Sequence, residues 1–488
     1  AGSAAHEYLT ARSRALGGHL PNRLVRGRGL LGLPAPLPAA FAEFQSGSRG
    51  QAVSTTMAFA RLLRNLLRDP GVGKHIVPIV PDEGRTFGLD GLFAEVKIYA
   101  PEGQLYTPVD AGLLLSYAED RSGQILEEGI TEAGGMASFQ AAGTSYATWS
   151  VPMVPIYLFY SMFGFQRVGD LIWQAADARA RGFLIGCTAG RTTMSGEGLQ
   201  HEDGHSLLLA SVVPTVHAYD PAFAYEMAVI VERGLHHMFG PEAEDCTYYL
   251  TLYNENYPMP ALPLPEGDEA TQAAAAATIK EGILRGIYRF AGLAGAAAGV
   301  APLEGGGGGE PNDRAAGRDW AGGGRVATIL FSGTAWQAAM AARELLASDW
   351  GVTAEAWSVT SYKALREDGL EVERWNRLHP GSQSRVPYVT RALQGARGPI
   401  VAVTDFLKAV PDQIARFVVT PFTSLGTDGF GRSDTRAALR GHFEVDAAHI
   451  VVAVLSGLAA TGEAKPSEVA AAIEKYGVNA EAPDPRGA

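Results

Sequence analysis

Apolar residues along this chain fall into two kinds of pattern. In one, they recur every three to four positions; in the other, they form short unbroken runs that end on polar or glycine-rich tips. From Thr55 to Arg68, the residues Met57, Ala60, Leu62, Leu63, Leu66 and Leu67 follow helical spacing, and Asp69-Pro70-Gly71 ends the element. Helical spacing returns over Gly169–Arg181 and Ala222–Met238. The short runs have strand length: Ile76–Val80 leads to Asp82-Glu83, Val154–Tyr160 to Phe163, and Phe183–Cys187 to a Gly/Thr/Ser-rich loop. Tyr248–Tyr253 leads in the same way to Asn254-Glu255-Asn256. Strands alternating with helices predict an α/β fold, a parallel sheet with helices on both faces, whose ligands bind beyond the carboxyl ends of the strands.

The pattern breaks twice. Residues 1–54 carry scattered Arg and Pro, including Arg12, Arg14, Arg23, Arg26, Pro34 and Pro36, and read as a connector of short turns or extended chain. Residues 55–263 hold the first alternating region. Residues 264–325 read as a linker, an Ala-rich helical stretch followed by a Gly-rich insertion at Gly305–Gly309 and Gly322–Gly324. A second alternating region, 326–488, predicts a smaller α/β domain: strand Val326–Ser332, helix Ala335–Leu346, strand Ile400–Thr404 and a helix-like stretch at Asp412–Phe417. Asp446–Leu455 reads as strand or helix, and Ser467–Tyr476 as a helix.

The chain has 488 residues, 47% of them hydrophobic, enough for two or three cores. A net charge of -12 opposes general phosphate attraction, so no nucleic-acid partner is expected. The two cysteines, Cys187 and Cys246, lie far apart, and with no CxxC pair or mixed Cys/His cluster neither a structural zinc nor a disulfide framework is expected. Sparse cysteine fits a cytoplasmic location. No apolar run is long enough to span a bilayer, so no membrane partner is expected either. The opening Ala1-Gly2-Ser3, without an initiating Met, predicts a fragment, a processed chain or an assembly subunit.

Three clusters could carry chemistry. Thr192 to His205 places two histidines, three acids and three glycines behind the strand Phe183–Cys187. That composition fits an active-site loop, and equally a hydrogen-bonded surface loop. The run Glu127-Glu128-Gly129-Ile130-Thr131-Glu132 reads on composition as a solvated acidic face before a helix. The aromatic run Tyr157 to Phe165 reads as core, although at a strand tip its rings could also stack on a planar ligand.

At these clusters the chain resembles the homodimeric bacterial pyruvate dehydrogenases. The motifs are Glu-Glu-Gly-Ile-Thr-Glu (127–132), Tyr-Ser-Met-Phe-Gly-Phe-Gln-Arg (160–167), Gly-Glu-Gly-Leu-Gln-His-Glu-Asp-Gly-His (196–205) and Asn-Glu-Asn-Tyr-Pro-Met-Pro (254–260). Asp-Glu-Gly-Arg-Thr-Phe-Gly (82–88), Leu-Gly-Thr-Asp-Gly-Phe-Gly-Arg-Ser-Asp-Thr-Arg (425–436) and His-Phe-Glu-Val-Asp (442–446) extend the likeness to nearly the whole chain outside the Gly-rich insertion.

The resemblance implies a pyrimidine-type thiamine-diphosphate-binding domain followed by a transketolase-C-terminal-like domain. It also implies oxidative decarboxylation of pyruvate, with acetyl transfer to a lipoyl domain of dihydrolipoyl acetyltransferase. Glu132 falls at the glutamate that hydrogen-bonds the aminopyrimidine ring of thiamine diphosphate and activates it. Phe163 matches the ring that stacks on the pyrimidine and Tyr160 its neighbour, while Ile130, Asp82 and Glu83 match pocket positions. His201, with Glu197 close by, matches the histidine that contacts substrate-derived groups; His205 is expected to be supporting structure. Residues around Tyr106–Asp120 resemble a loop that closes over the site, with Asp110 a candidate for its motion, and Asp428–Arg436 is expected to anchor packing between domains or subunits.

The family's second element, Gly-Asp-Gly followed later by Asn, holds magnesium and the diphosphate. Here Asp-Gly occurs at Asp90, Asp203, Asp368 and Asp428 without a preceding Gly. The resemblance therefore implies that magnesium and the diphosphate are held by a domain or subunit outside this chain, in a homodimer or heterotetramer, and that the chain alone is inactive. A dehydrogenase for another 2-oxo acid, a transketolase-like enzyme and a non-catalytic scaffold are the alternatives.

Overall fold

In the main sheet of the first half, each strand is followed by a segment that crosses a sheet face before the next strand begins, so these strands pair in parallel. The computed structural model describes residues 2–15, 17–18, 32–81, 84–113, 116–293 and 324–487. Its larger sheet contains β1 (Ile76–Val80), β2 (Leu126–Glu127), β3 (Val154–Tyr160), β4 (Gly182–Cys187), β5 (Val216–Tyr219) and β6 (Thr247–Thr251), in the spatial order β2-β1-β3-β4-β6-β5. Every pairing in it is parallel.

Side chains alternate across this sheet, as the strand period of two requires. Ile156 and Leu158 of β3 pack on one face with Leu62 and Leu63 of α1 (Thr55–Leu67). Tyr157 and Phe159 pack on the other with Met136 and Phe139 of α2 (Glu132–Gly143) and Ile172 of α3 (Phe165–Asp177). α4 (Ala224–Phe239) covers the first face through Ile230. Leu62 and Leu63 are fully buried, so cutting either to Ala costs about 2–5 kcal/mol.

The linker helix α5 (Glu269–Arg285) leads into the second domain's sheet. That sheet runs β7 (Tyr288–Ala291), β9 (Val352–Ser358), β8 (Arg325–Phe331), β10 (Ile400–Val403) and β11 (Phe422–Leu425), parallel except for β7, which lies antiparallel on β9. Its longer helices are α6 (Trp336–Trp350), α7 (Tyr362–Leu378), α8 (Ala447–Ala460) and α9 (Pro466–Tyr476). Both apolar clusters run through both domains: one joins Leu250 to Ile329, the other Tyr249 to Leu330.

The structure differs from the sequence reading in the two segments read as connector and linker. Ala4–Ala15 is a helix rather than turns or extended chain; none of its residues is buried, so Ala-rich propensity and not an apolar face accounts for it. Phe41 and Phe44, inside the segment read as a connector, are buried in the first domain's core. β7, inside the segment read as linker, is an edge strand of the second sheet. The Gly-rich insertion at Gly305–Gly309 lies outside the described residues. The apolar stretch Arg436–Ala460 is broken between Arg436–His442 and α8, where Glu444 takes φ 59. At about 1.5 Å per residue, α8 is about 21 Å long, short of a bilayer's ~30 Å apolar core.

Candidate active site

After β1 the chain moves to one side to form β2, then returns past β1 to form β3. The connections leaving β1 and β3 therefore diverge, and a crevice opens beyond their carboxyl ends. Two of the sequence-predicted groups border it among the described residues. The tip of β1 runs toward Asp82 and Glu83, which lie outside the described residues. The tip of β2 leads to Ile130 and Glu132, and that of β3 to Tyr160 and Phe163.

Glu132 stands in the first turn of α2. Thr131 caps that helix by accepting the Gly134 N–H at 3.1 Å, which fixes the direction in which the helix starts. The Tyr157 hydroxyl donates to the Glu132 carbonyl oxygen at 3.2 Å. The close approach of ring and helix needs glycine at 135, where a Cβ would stand 2.6 Å from the Tyr157 ring. Glu132 is only 7% exposed, so the acidic run is not a uniformly solvated face. Its partner is Arg167 of α3, whose guanidinium donates to Oε2 at 3.0 Å and lies 4.0 Å from the Phe163 ring centroid. The motif 160–167 contained Arg167, but the sequence reading gave it no role. Its signal was a cation four residues after an aromatic, a spacing that brings two side chains together.

Tyr160, Phe163 and His201 form an aromatic patch beside this pair. The His201 imidazole stacks on Tyr160 with centroids 4.6 Å apart and sits 5.5 Å from Phe163, while Tyr160 and Phe163 meet edge-on at 5.7 Å. Phe87 supports Tyr160 from behind at 5.2 Å. His201 Nδ1 is buried without a hydrogen-bond partner. Glu197 Oε2 lies 3.8 Å from it, too far for a hydrogen bond, and the Glu197 side chain is half exposed. Ile130 lies on the rim, 81% exposed.

The loop carrying His201 is held at both ends. Asp203, fully buried, accepts from the Ser161 hydroxyl, from Gln166 Nε2 at 3.1 Å, and from the His205 and Ser206 N–H groups at 3.0 and 2.9 Å. One carboxylate thus ties the histidine loop to the turn that carries Phe163. His205 is part of that support, and burial lowers its pKa despite the adjacent Asp203 charge. From the second domain, Asp405 accepts the Thr192 N–H at 3.1 Å, and Arg436 donates to the Thr193 carbonyl. Arg440 reaches Thr192 Oγ1 at 3.3 Å and pairs with Glu255. Gly190 must be glycine: its φ is +88 and a Cβ would collide with the Asp405 carboxylate. Asp110 of the 101–118 segment is paired with Arg85 and accepts the Tyr117 N–H at 3.2 Å.

Glu202 was part of the loop motif but had no assigned role. Both of its carboxylate oxygens are buried without hydrogen bonds. Burial, reinforced by the Asp405 charge, pushes its carboxyl up to about 8 from 4.5. Between those values the folded chain holds a proton that the unfolded chain has released, so this group makes stability fall as pH rises through the window and level off above it. Burial raises Asp405 as well, which adds to the same slope. Glu202→Gln is expected to flatten the slope without abolishing it. Urea midpoints at about pH 5.5 and about pH 8.5 measure this, and an unchanged difference between them would show that Glu202 is ionised throughout.

Residues 32–260 match the family described as pyruvate dehydrogenase E1 component middle domain, and residues 318–446 the transketolase-like C-terminal domain. The chain is similar to the pyruvate dehydrogenase E1 component of Mycobacterium tuberculosis, 50% identical over 97% of this chain and 46% of that protein. To the Pseudomonas aeruginosa protein it is 48% identical, and to the Escherichia coli K12 protein 45% identical, in each case over 99% of this chain and 50% of the relative. The chain thus spans about half the length of the curated relatives it matches. Among solved structures it resembles transketolase from Leishmania mexicana, with TM-score 0.56 and 13% identity over 86% of this chain and 48% of that one. A Pichia stipitis transketolase gives TM-score 0.54 and 13% identity over 94% and 52%; at these identities the likeness concerns the fold.

Proposed function

We propose that this chain, whose residues match the pyruvate dehydrogenase E1 middle domain and the transketolase-like C-terminal domain, is the corresponding part of a pyruvate dehydrogenase E1 component and supplies the aminopyrimidine half of a thiamine diphosphate site acting on pyruvate. The observation that carries this reading is Glu132: a buried carboxylate in the first turn of a helix at the sheet's switch point, next to an aromatic patch. These groups suit an aminopyrimidine, whose ring nitrogens hydrogen-bond and whose faces stack. Glu132 would hold the pyrimidine nitrogen, with Arg167 fixing the position of its carboxylate, and Phe163 with Tyr160 would face the ring. When bound, thiamine diphosphate supplies the nucleophilic carbon and the electron sink for decarboxylation.

His201 has a different task. Its ring position is set by Tyr160 and by the Asp203-anchored loop, and its unpartnered Nδ1, when protonated, can donate to the carboxylate or keto oxygen of a 2-oxo acid. In this reading Glu197, Ile130, Asp82 and Glu83 line the pocket, while magnesium and the diphosphate are held by a diphosphate-binding domain or subunit. A homodimer or heterotetramer in the cytoplasm, serving the lipoyl domain of an acetyltransferase, is the assembly we infer.

Product analysis tests the substrate. The enzyme assembled with its diphosphate-binding half is offered pyruvate, 2-oxobutyrate or a ketose phosphate together with a lipoyl domain. Acetylation of the lipoyl group from pyruvate, with at most traces from the other two, is expected. Preferential acylation from 2-oxobutyrate, or ketol transfer from the sugar phosphate, overturns the assignment to pyruvate.

A further inference from the structure

Far from the crevice, at the opposite edge of the first sheet, three residues widely separated in sequence meet. His217 comes from β5, His237 from the last turn of α4, and Cys246 directly precedes β6. One ligand atom from each lies within 4.8 Å of the others. No local spacing announces the cluster, because two neighbouring strands and the helix between them bring it together. It lies toward the amino ends of the strands, away from Glu132.

We propose that His217, His237 and Cys246 form a binding site for a divalent cation of the zinc class. Two imidazoles and a thiol are the donor types that suit Zn²⁺ over harder cations. Cys246 Sγ and His237 Nδ1 are 3.7 Å apart. A tetrahedral Zn²⁺ with bonds of about 2.3 Å to sulfur and about 2.05 Å to nitrogen holds those atoms about 3.6 Å apart, so the pair needs almost no movement. The far nitrogen of the same ring, Nε2, lies 3.2 Å from the Glu244 carboxylate. A ligating histidine is commonly braced by a carboxylate on its second nitrogen in this way, which directs the first toward the ion.

The remaining geometry is compatible. The two imidazoles meet edge-on with centroids 5.3 Å apart, and His217 stacks on Tyr248 at 5.1 Å. The Tyr248 hydroxyl now shares His237 Nδ1 at 3.0 Å and would release it to the ion. An open cleft lined also by Arg233, Lys280, Glu281 and Arg285 exposes the two histidines and Tyr248 to solvent. It provides an entry path, and water or a small anion from it would complete the coordination. Bound there, the ion would tie the end of α4 to β5 and the start of β6, a structural role separate from the chemistry at Glu132.

Cobalt(II) is the probe. The full chain, stripped with a chelator and dialysed, is titrated with Co²⁺ and then with Zn²⁺. The expected result is a single equivalent of Co²⁺ with a thiolate-to-metal charge-transfer band, displaced by Zn²⁺, and a rise in melting temperature with Zn²⁺. Cys246→Ser loses the band, Cys187→Ser keeps it, and His217→Ala weakens Co²⁺ binding by about tenfold or more. His217 lies on an edge strand, and far-ultraviolet circular dichroism checks that each variant is folded. No charge-transfer band in the folded wild-type chain, or a band that survives Cys246→Ser, shows that the cluster is only hydrogen-bonded and overturns the proposal.

Discussion

In the assembled enzyme, Glu132→Gln lowers kcat by about 10²-fold or more, the scale expected for loss of a group that shares a proton in the activating step. Gln keeps the length and one acceptor oxygen of Glu132 but cannot exchange the proton. The substitution also breaks the ion pair with Arg167, whose side chain is half exposed, so the loss of stability stays within about 1 kcal/mol. Activity and stability thus separate: turnover collapses while the urea midpoint hardly moves. Steady-state kinetics with saturating cofactor, read beside an unfolding curve, check both. Turnover within threefold of wild type in a folded variant would falsify the activating role and favour a scaffold. A large shift in midpoint would instead make Glu132 a structural residue.

The route to that residue shows what the sequence could and could not deliver. Ile76–Val80 and Val154–Tyr160 were legible to the residue, because a run buried on both faces of a parallel sheet is apolar throughout and ends abruptly. Strand β9 was not read as a strand. Its Val-Thr-Ala-Glu-Ala-Trp-Ser carries Glu355, which is buried and accepts from the Thr328 hydroxyl at 3.3 Å, so the expected apolar run is interrupted by a polar side chain. β5 was hidden for a related reason: it is four residues long and includes His217.

At the site, composition set aside Glu132 as part of a solvated acidic face; only the family motif singled it out. What buries it is tertiary: Tyr157 beneath the first turn, Gly135 permitting the approach, and Arg167 arriving from the next helix. None of these contacts has a local signature beyond the Phe163–Arg167 spacing. The three-residue cluster of His217, His237 and Cys246 is the extreme case, since its members are joined by fold topology alone.

Asp203→Ala is expected to destabilise the chain by about 3–5 kcal/mol, more than any other single change in the loop. The carboxylate is fully buried and satisfies four donors, from Ser161, Gln166, His205 and Ser206. Removing it strands donors that water cannot reach, at about 1–3 kcal/mol for each one left unpaired. Repacking recovers part of this: the Ser161 hydroxyl lies 3.4 Å from the Tyr249 hydroxyl and 3.5 Å from that of Ser206, so it can find another partner. The two backbone N–H groups have no such option. Asp203→Asn separates the contributions, because its carbonyl oxygen still accepts from His205 and Ser206 while its NH₂ faces a Ser161 hydroxyl able to turn and accept. Asn should therefore cost less than half as much as Ala. Urea unfolding of the three proteins at one pH measures this, and equal, small effects of Ala and Asn would mean that the loop holds itself without the carboxylate. If the larger effect of Ala is found, kcat should follow the same order, because the bond from Asp203 to Ser161 is also what holds the His201 loop against the turn carrying Phe163.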